Sequence, residues 1–120
     1  GWAALAGAIV VGPRLGKFAA AKSPLAIPGH SITLAALGVF VLWFGWFGFN
    51  AGSTVSGNDA SIAIIMVTTN LAAAAGALGA LSLSYLLWKR FDASMTLNGV
   101  IGGLVAITTG TANMSRSLLK

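Results

Sequence analysis

The chain has 120 residues, of which 57% are hydrophobic and only 8% are charged, and its mean hydropathy is +0.88. Soluble domains contain about 25% charged residues, so the composition favours an integral membrane protein. Without cysteine, disulfides and thiolate metal sites are excluded, and the single histidine, His30, cannot hold a metal by itself. The net charge of +5 does not indicate nucleic-acid binding, because the basic residues form short clusters between apolar runs.

Apolar runs predict four helical segments, since a helix needs roughly 20 apolar residues to span a bilayer. The first segment, 1–12, is too short to span and ends before Pro13, so we expect it to be the second half of a longer helix. The other three segments are 32–52, 62–88 and 97–114. The predicted fold is all-α and integral to the membrane, a partial multi-helix bundle formed by one fragment, 1–120.

The distribution of basic residues predicts how the segments are oriented. Loop 51–61 contains no lysine or arginine, whereas loops 13–31 and 89–96 both contain basic residues: Arg14, Lys17, Lys22, Lys89 and Arg90. Because basic loops stay on the cytoplasmic side, loops 13–31 and 89–96 are predicted to be cytoplasmic and loop 51–61 external. Arg116 and Lys120 do not fit this scheme, because they follow the last segment.

Small residues mark two helix surfaces that are suited to close packing. The stretch LAAAAGALGAL (71–81) has almost no bulky side chains, and helices in lipid associate where Gly and Ala let their backbones approach. In the last segment, the small residues within about a third of the helix circumference are Gly99, Gly102, Gly103, Ala106 and Gly110. We interpret this surface as a packing face.

The segment FGWFGFNAGST (44–54) combines aromatic rings, glycines and polar side chains. At about 100° per residue, Trp46, Phe49 and Ser53 lie within about 60° of one another, with Trp43 and Asn50 beside them. An indole face attracts a cation, and a hydroxyl accepts a hydrogen bond from an N–H donor. The pattern therefore suits a small cation that carries N–H groups. An aromatic belt at the membrane interface is the alternative interpretation.

The motif FGWFGFNAGS resembles the signature of the ammonium transporter (Amt/Mep/Rh) family. The opening GWAALAGAIVVGPRLGKF, the loop with IPGH and the last segment LNGVIGGLVAITTGTANM are similar to other stretches of the family. The resemblance covers nearly the whole chain, from the end of the family's fifth helix to its eighth. It implies the family's eleven-helix fold with inverted repeats, an assembly of three subunits and no cofactor. Ammonium or methylammonium would be the substrate.

The resemblance also implies roles for individual residues. Trp46 would provide a cation–π contact in the outer recruitment vestibule, and Ser53 would bind ammonium there through a hydrogen bond. Phe49 would be one of two stacked phenylalanines that gate the pore. Asn50 belongs to the same motif, and we expect it to hold the helix end, with pore lining as the alternative. Thr108 would lie near the inner part of the conduction path or have a structural role.

The family's twin pore histidines do not occur in this sequence, and His30, in a loop, is not one of them. The resemblance places one of the pair before Gly1 and the other after residue 120, so we expect the chain to be part of a longer transporter. The alternative is a small structural or assembly subunit that packs through its Gly/Ala faces. An intramembrane enzyme is disfavoured, because no His, Lys or Asp lies in a span to activate a nucleophile.

Overall fold

The computed structural model describes residues 1–18, 24–25, 27–58 and 60–110 of the chain. These residues form four α-helices and no strand: α1 (Trp2–Val11), α2 (Ile32–Gly52), α3 (Ser61–Trp88) and α4 (Ala93–Thr108). The all-α prediction is confirmed. The chain divides into two compact units, Gly1–His30 and Ser31–Lys120.

The first unit contains α1, which has ten residues and none that is buried. The helix ends at Gly12, whose backbone N–H donates to the carbonyl of Ala8 at 3.0 Å. Gly12 has a φ of 68°, a conformation that glycine adopts without a Cβ clash. Arg14 and Lys17 lie in the turn that follows, and the predicted loop residue Lys22 falls outside the described residues.

Two helices of the second unit are long and apolar enough to cross a membrane. Helix α2 has 21 residues and α3 has 28, which correspond to lengths of about 32 and 42 Å. The hydrocarbon core of a bilayer is about 30 Å thick, so both helices suffice by length and composition. Helices α1 and α4 are shorter apolar helices.

Side-chain caps fix the starts of α2 and α4. The Ser31 hydroxyl accepts from the Leu34 N–H at 3.2 Å, and the Asp92 carboxylate accepts from the Met95 N–H at 2.9 Å. Because Asp92 caps it, α4 begins at Ala93, four residues before the apolar run that predicted its start. The helix is described to Thr108, and the predicted end at 114 lies outside the described residues.

Helix α3 runs antiparallel to α4, because Gly76 meets Gly99 while Ala72 meets Gly103, and it packs most extensively on that helix. It is also antiparallel to α2, since the end of α2 at Asn50 contacts Thr69 near the start of α3. The buried core where the three helices meet consists of Val39, Ala73, Val100 and Leu104. This topology places the α2–α3 loop (53–60) and the end of α4 at one end of the unit. The short α3–α4 turn (89–92) lies at the opposite end, beside the start of α2.

Three glycines let the backbones of α3 and α4 touch. A Cβ on Gly76 would overlap the carbonyl oxygen of Gly99, and one on Gly103 would overlap the carbonyl oxygen of Ala72. Gly102 has no neighbour within reach of a Cβ, and it is exposed, as is Ala106. The α4 packing face is thus narrower than predicted, because the contact follows the four-residue spacing from Gly99 to Gly103.

Candidate functional site

Trp46 joins α2 to α4. Its indole N–H donates a hydrogen bond of 2.8 Å to the hydroxyl of Thr108, which itself donates to the carbonyl of Leu104 at 2.8 Å. Both side chains are half-buried. The resemblance assigned Trp46 and Thr108 to different depths of a pathway, whereas the structure places them in contact. The Thr108 hydroxyl therefore has an evident structural role as a bridge between the two helices.

Phe49 lies one turn further along α2, beside Trp46. The two ring centroids are 5.5 Å apart and the ring planes are tilted by 35°. Phe49 is 60% exposed, so the rest of its ring surface is free to meet another part of the protein or a solute. The edge and face of two adjacent aromatic rings thus form a continuous apolar surface along the helix.

Ser53 caps the C-terminal end of α2 and is exposed. Its hydroxyl donates to the carbonyl oxygen of Phe49 at 2.6 Å. That bond uses the only hydrogen of the hydroxyl and orients its oxygen, which retains lone pairs for an external donor. The geometry therefore suits acceptance of a hydrogen bond from an N–H group.

Asn50 points to the interior of the unit. Its side-chain amide donates to the hydroxyl of Thr69 on α3 at 3.0 Å, and both residues are buried, with exposures of 4% and 0%. In an apolar interior, such a bond satisfies polar groups that would otherwise be costly to bury. Asn50 and Thr69 therefore tie the end of α2 to α3 and are not open to a solute within this unit.

Thr69 was missed by the sequence analysis. Its signal is the polar run Thr68–Asn70 inside an otherwise apolar helix. The sequence does not show which of Thr68 and Thr69 faces a neighbouring helix. In the structure, Thr68 bonds back to the carbonyls of Ile64 and Ile65, whereas Thr69 faces Asn50.

Trp46 and Ser53 are seven residues apart, or about 10 Å along the helix axis. A cation contacts a ring at up to about 6 Å from the centroid and a hydroxyl oxygen at about 3 Å. One ammonium ion therefore does not reach both groups at once. The two residues suit successive positions of an ion, with Phe49 between them.

The three helices that carry these residues or pack against them are uncharged. Helices α2, α3 and α4 contain no acidic or basic residue over their described lengths. Within these helices, the groups that could recognise a cation are ring faces and neutral oxygens. A groove of about 510 Å³ at the same end is lined by Phe47, Gly48 and the loop 54–57, and the stripe of Trp46, Phe49 and Ser53 does not line it.

Two of the described helices are long and apolar enough to cross a membrane, and comparison with known proteins defines the family. The model of the Ammonium Transporter Family matches residues 1–117. Ammonium transporter Amt2 of Archaeoglobus fulgidus is 52% identical over 112 residues, which are 93% of this chain and 24% of that protein. Ammonium transporter 1 member 3 of Oryza sativa subsp. japonica is 41% identical over 122 residues, covering 92% of this chain and 24% of its own length.

A solved structure is also similar. It is titled "Sensor Amt Protein", has a TM-score of 0.85 and 43% sequence identity, and covers 92% of this chain and 27% of that one. The chain belongs to the Ammonium Transporter Family, so the resemblance seen in the sequence is confirmed. It spans about a quarter of the length of the curated relatives it matches.

Proposed function

We propose that this chain is part of an ammonium transporter and contributes one side of the outer half of its pathway. The observation that carries the proposal is the order of three side chains along one stripe of α2: the exposed Ser53, the exposed Phe49, and the half-buried Trp46. Membership of the family, whose curated relatives are named ammonium transporters, supports ammonium or methylammonium as the substrate.

In this proposal Ser53 acts first. Its oxygen accepts a hydrogen bond from an arriving ammonium ion, since its own hydrogen is held by the carbonyl of Phe49. Phe49 then acts as a gate, because an aromatic ring excludes hydrated ions while a solute that has lost its water can pass. The resemblance implied a place for Trp46 in the outer vestibule. Because Trp46 lies one turn further into α2 than Phe49, this proposal instead has its ring face meet the cation inward of the gate, with Thr108 holding the indole in place.

The arrangement in the membrane belongs to the same proposal. Loops 13–31 and 89–96 would lie in the cytoplasm and loop 51–61 outside the cell, in a multi-pass protein of the cell membrane. The α2–α3 loop and the α3–α4 turn lie at opposite ends of the second unit, as this orientation requires. The full-length protein would assemble as a homotrimer, as the family resemblance implies.

A second candidate function is ammonium sensing. The similar solved structure is titled a sensor protein, at 43% identity. A sensor would keep the binding residues without supporting a flux. The structural-subunit alternative loses its main argument, because Gly76, Gly99 and Gly103 pack against helices of this same chain and are not left for a partner.

The test is uptake of labelled methylammonium by cells that lack their own ammonium transporters and express the full-length protein. We expect saturable uptake, which a sensor that binds without transport would not give. In the Phe49→Ala variant we expect uptake to become sensitive to competing K⁺, because the gate no longer excludes it. Phe44→Ala is the matched control, since Phe44 is an exposed ring on another face of α2. If uptake were equally sensitive to K⁺ in both variants, Phe49 would not be the gate of the pathway.

A further inference from the structure

Two hydrogen bonds to different helices hold the C-terminal part of α2. The indole of Trp46 donates to Thr108 on α4 at 2.8 Å, and the side-chain amide of Asn50 donates to Thr69 on α3 at 3.0 Å. The two donors are four residues apart, or about 6 Å along the helix axis. A single bond would still allow α2 to pivot, whereas two bonds to two helices restrict both its rotation and its shift along the axis.

Phe49 and Ser53 depend on this part of α2 for their position. The exposed ring of Phe49 contacts the ring of Trp46, and the exposed hydroxyl of Ser53 donates to the carbonyl of Phe49 at 2.6 Å. These contacts lie within α2 and its cap, so both side chains move with the end of the helix. Because Asn50 lies between them in the chain, a rotation or shift of the helix at Asn50 displaces the ring and the hydroxyl together.

The bond between Asn50 and Thr69 is buried inside the second unit. Its geometry is therefore set by the packing of α2 on α3. The neighbouring Thr68 shows the other arrangement that a threonine can adopt in a helix, because its hydroxyl donates to the carbonyls of Ile64 and Ile65 on α3 itself. Thr69, in contrast, uses its hydroxyl as an acceptor for a side chain of α2.

A polar pair at this position provides direction more than stability. In lipid, hydrogen bonds between helices contribute little stability on average, and replacing both partners of a buried bond by apolar groups of the same shape is close to neutral. An apolar pair would fill the same space and would tolerate small shifts of one helix along the other. A bond between an amide and a hydroxyl is satisfied over a narrow range of distance and angle, so it selects one register.

We propose that Asn50 and Thr69 are positioning residues of the ammonium pathway. Their bond holds the last turn of α2 in one register against α3, and this keeps the ring of Phe49 and the oxygen of Ser53 where the arriving ion meets them. Neither Asn50 nor Thr69 contacts the ion. The inference rests on the proposed function of Phe49 and Ser53, and it adds to that function a residue of another helix, Thr69.

The test compares variants of the full-length protein by their melting temperature and by methylammonium uptake with and without K⁺. Asn50→Leu/Thr69→Val removes both polar groups together, so we expect a melting temperature close to that of the wild-type protein. The apparent KM should nevertheless rise about two- to fivefold, up to the loss expected for Ser53→Ala, and uptake should become sensitive to K⁺. Thr69→Ser keeps the hydroxyl and should behave like the wild type. Unchanged KM and K⁺ sensitivity in the double variant would overturn the proposal.

Thr69→Val alone provides a second comparison if the double variant does not fold. It exchanges one hydroxyl for a methyl group of similar size, and the same rise in KM and the same sensitivity to K⁺ are expected. Wild-type uptake in a folded Thr69→Val protein would count against a positioning role.

Ser84→Ala is the matched control for the loss of a buried polar group. Ser84 is fully buried on the same helix, where its hydroxyl donates to the carbonyl of Leu81 at 2.8 Å and accepts from the backbone N–H of Asp92 at 3.4 Å. These contacts lie at the opposite end of the unit from Ser53. We expect Ser84→Ala to lower the melting temperature and to leave the KM and the K⁺ sensitivity unchanged. A rise in KM equal to that of the double variant would show that a general loss of packing suffices, and the positioning role would be wrong.

The variants of Ser53 and Phe49 separate failure of this inference from failure of the proposed function. In the Ser53→Ala background, Asn50→Leu/Thr69→Val should raise the KM little further, because the group that it displaces is already absent. An equally large rise in that background would overturn the proposal. If Ser53→Ala and Phe49→Ala alter uptake while Asn50→Leu/Thr69→Val does not, the positioning role fails and the proposed function stands. If none of these variants alters uptake, the proposed function itself fails.

Discussion

The indole N–H of Trp46 on α2 donates a hydrogen bond of 2.8 Å to the hydroxyl of Thr108 on α4, a residue 62 positions later in the chain. Because Thr108 also donates to the carbonyl of Leu104, its hydroxyl has a fixed direction. The ring of Trp46 is thereby held in one orientation, with Phe49 beside it. A ring held in this way keeps its face available to a cation without the entropy cost of ordering it on binding.

Replacing Trp46 tests whether its ring face meets the substrate. In the full-length protein, we expect Trp46→Leu to raise the apparent KM for methylammonium by roughly 2- to 30-fold, since a cation–π contact contributes about 0.5–2 kcal/mol. Thr108→Val should have a smaller effect, because the ring stays and only its N–H loses its acceptor. Uptake measured over a range of methylammonium concentrations gives the apparent KM of both variants. An unchanged KM in Trp46→Leu would show that this residue only packs helices.

Replacing Ser53 tests the first contact of the ion. Ser53→Ala removes one acceptor and should raise the apparent KM about fivefold, because one hydrogen bond contributes about 1 kcal/mol net. Ser56→Ala makes the same chemical change in the exposed loop that follows and should leave the KM unchanged. The same effect from both substitutions would argue against a specific role for Ser53.

The contact between α3 and α4 makes a prediction about stability. Gly103→Ala places a Cβ against the carbonyl of Ala72, so the helices must separate, and we expect a loss of about 1–3 kcal/mol of stability. Gly102→Ala is the control, because no atom lies within 4 Å of its Cβ and alanine favours helix by about 1 kcal/mol. Thermal unfolding of the purified full-length protein should rank the two variants in this order. A Gly103→Ala variant as stable as Gly102→Ala would contradict the close packing.

The buried pair of Asn50 and Thr69 predicts coupled effects. Asn50→Leu leaves the Thr69 hydroxyl without its donor and should cost about 1–3 kcal/mol of stability. In the Asn50→Leu background, Thr69→Val should cost less stability than it does in the wild-type protein. The reason is that the Thr69 hydroxyl has already lost its partner there. A double-mutant cycle on unfolding free energies measures this coupling, and strictly additive effects would rule the bond out as a contributor. Asn58→Ala, in the exposed loop, is the matched control.

Much of this chain can be predicted from its sequence. Apolar length marks α2 and α3 as spans, the motif at 44–54 identifies the family, and the helical period puts Trp46, Phe49 and Ser53 on one stripe. These features are local, since each depends on the chemistry of one segment and on the 3.6-residue turn of a helix. The caps of α2 and α4 are local in the same sense. The apolar run nevertheless predicts a start for α4 at residue 97, four residues after the observed start at Ala93.

The tertiary structure alone decides which neighbour each stripe meets. The helical period tells which face of its own helix a side chain occupies. It does not tell how far a neighbouring helix is shifted along the common axis. That shift is set by Gly76, Gly99 and Gly103, which allow contact only where no Cβ intervenes. Once α3 and α4 are fixed in this register, Thr108 reaches Trp46, while Thr69, on α3, lies against Asn50. The partners of the site residues thus follow from the fit of helix surfaces, which is a property of all three helices together.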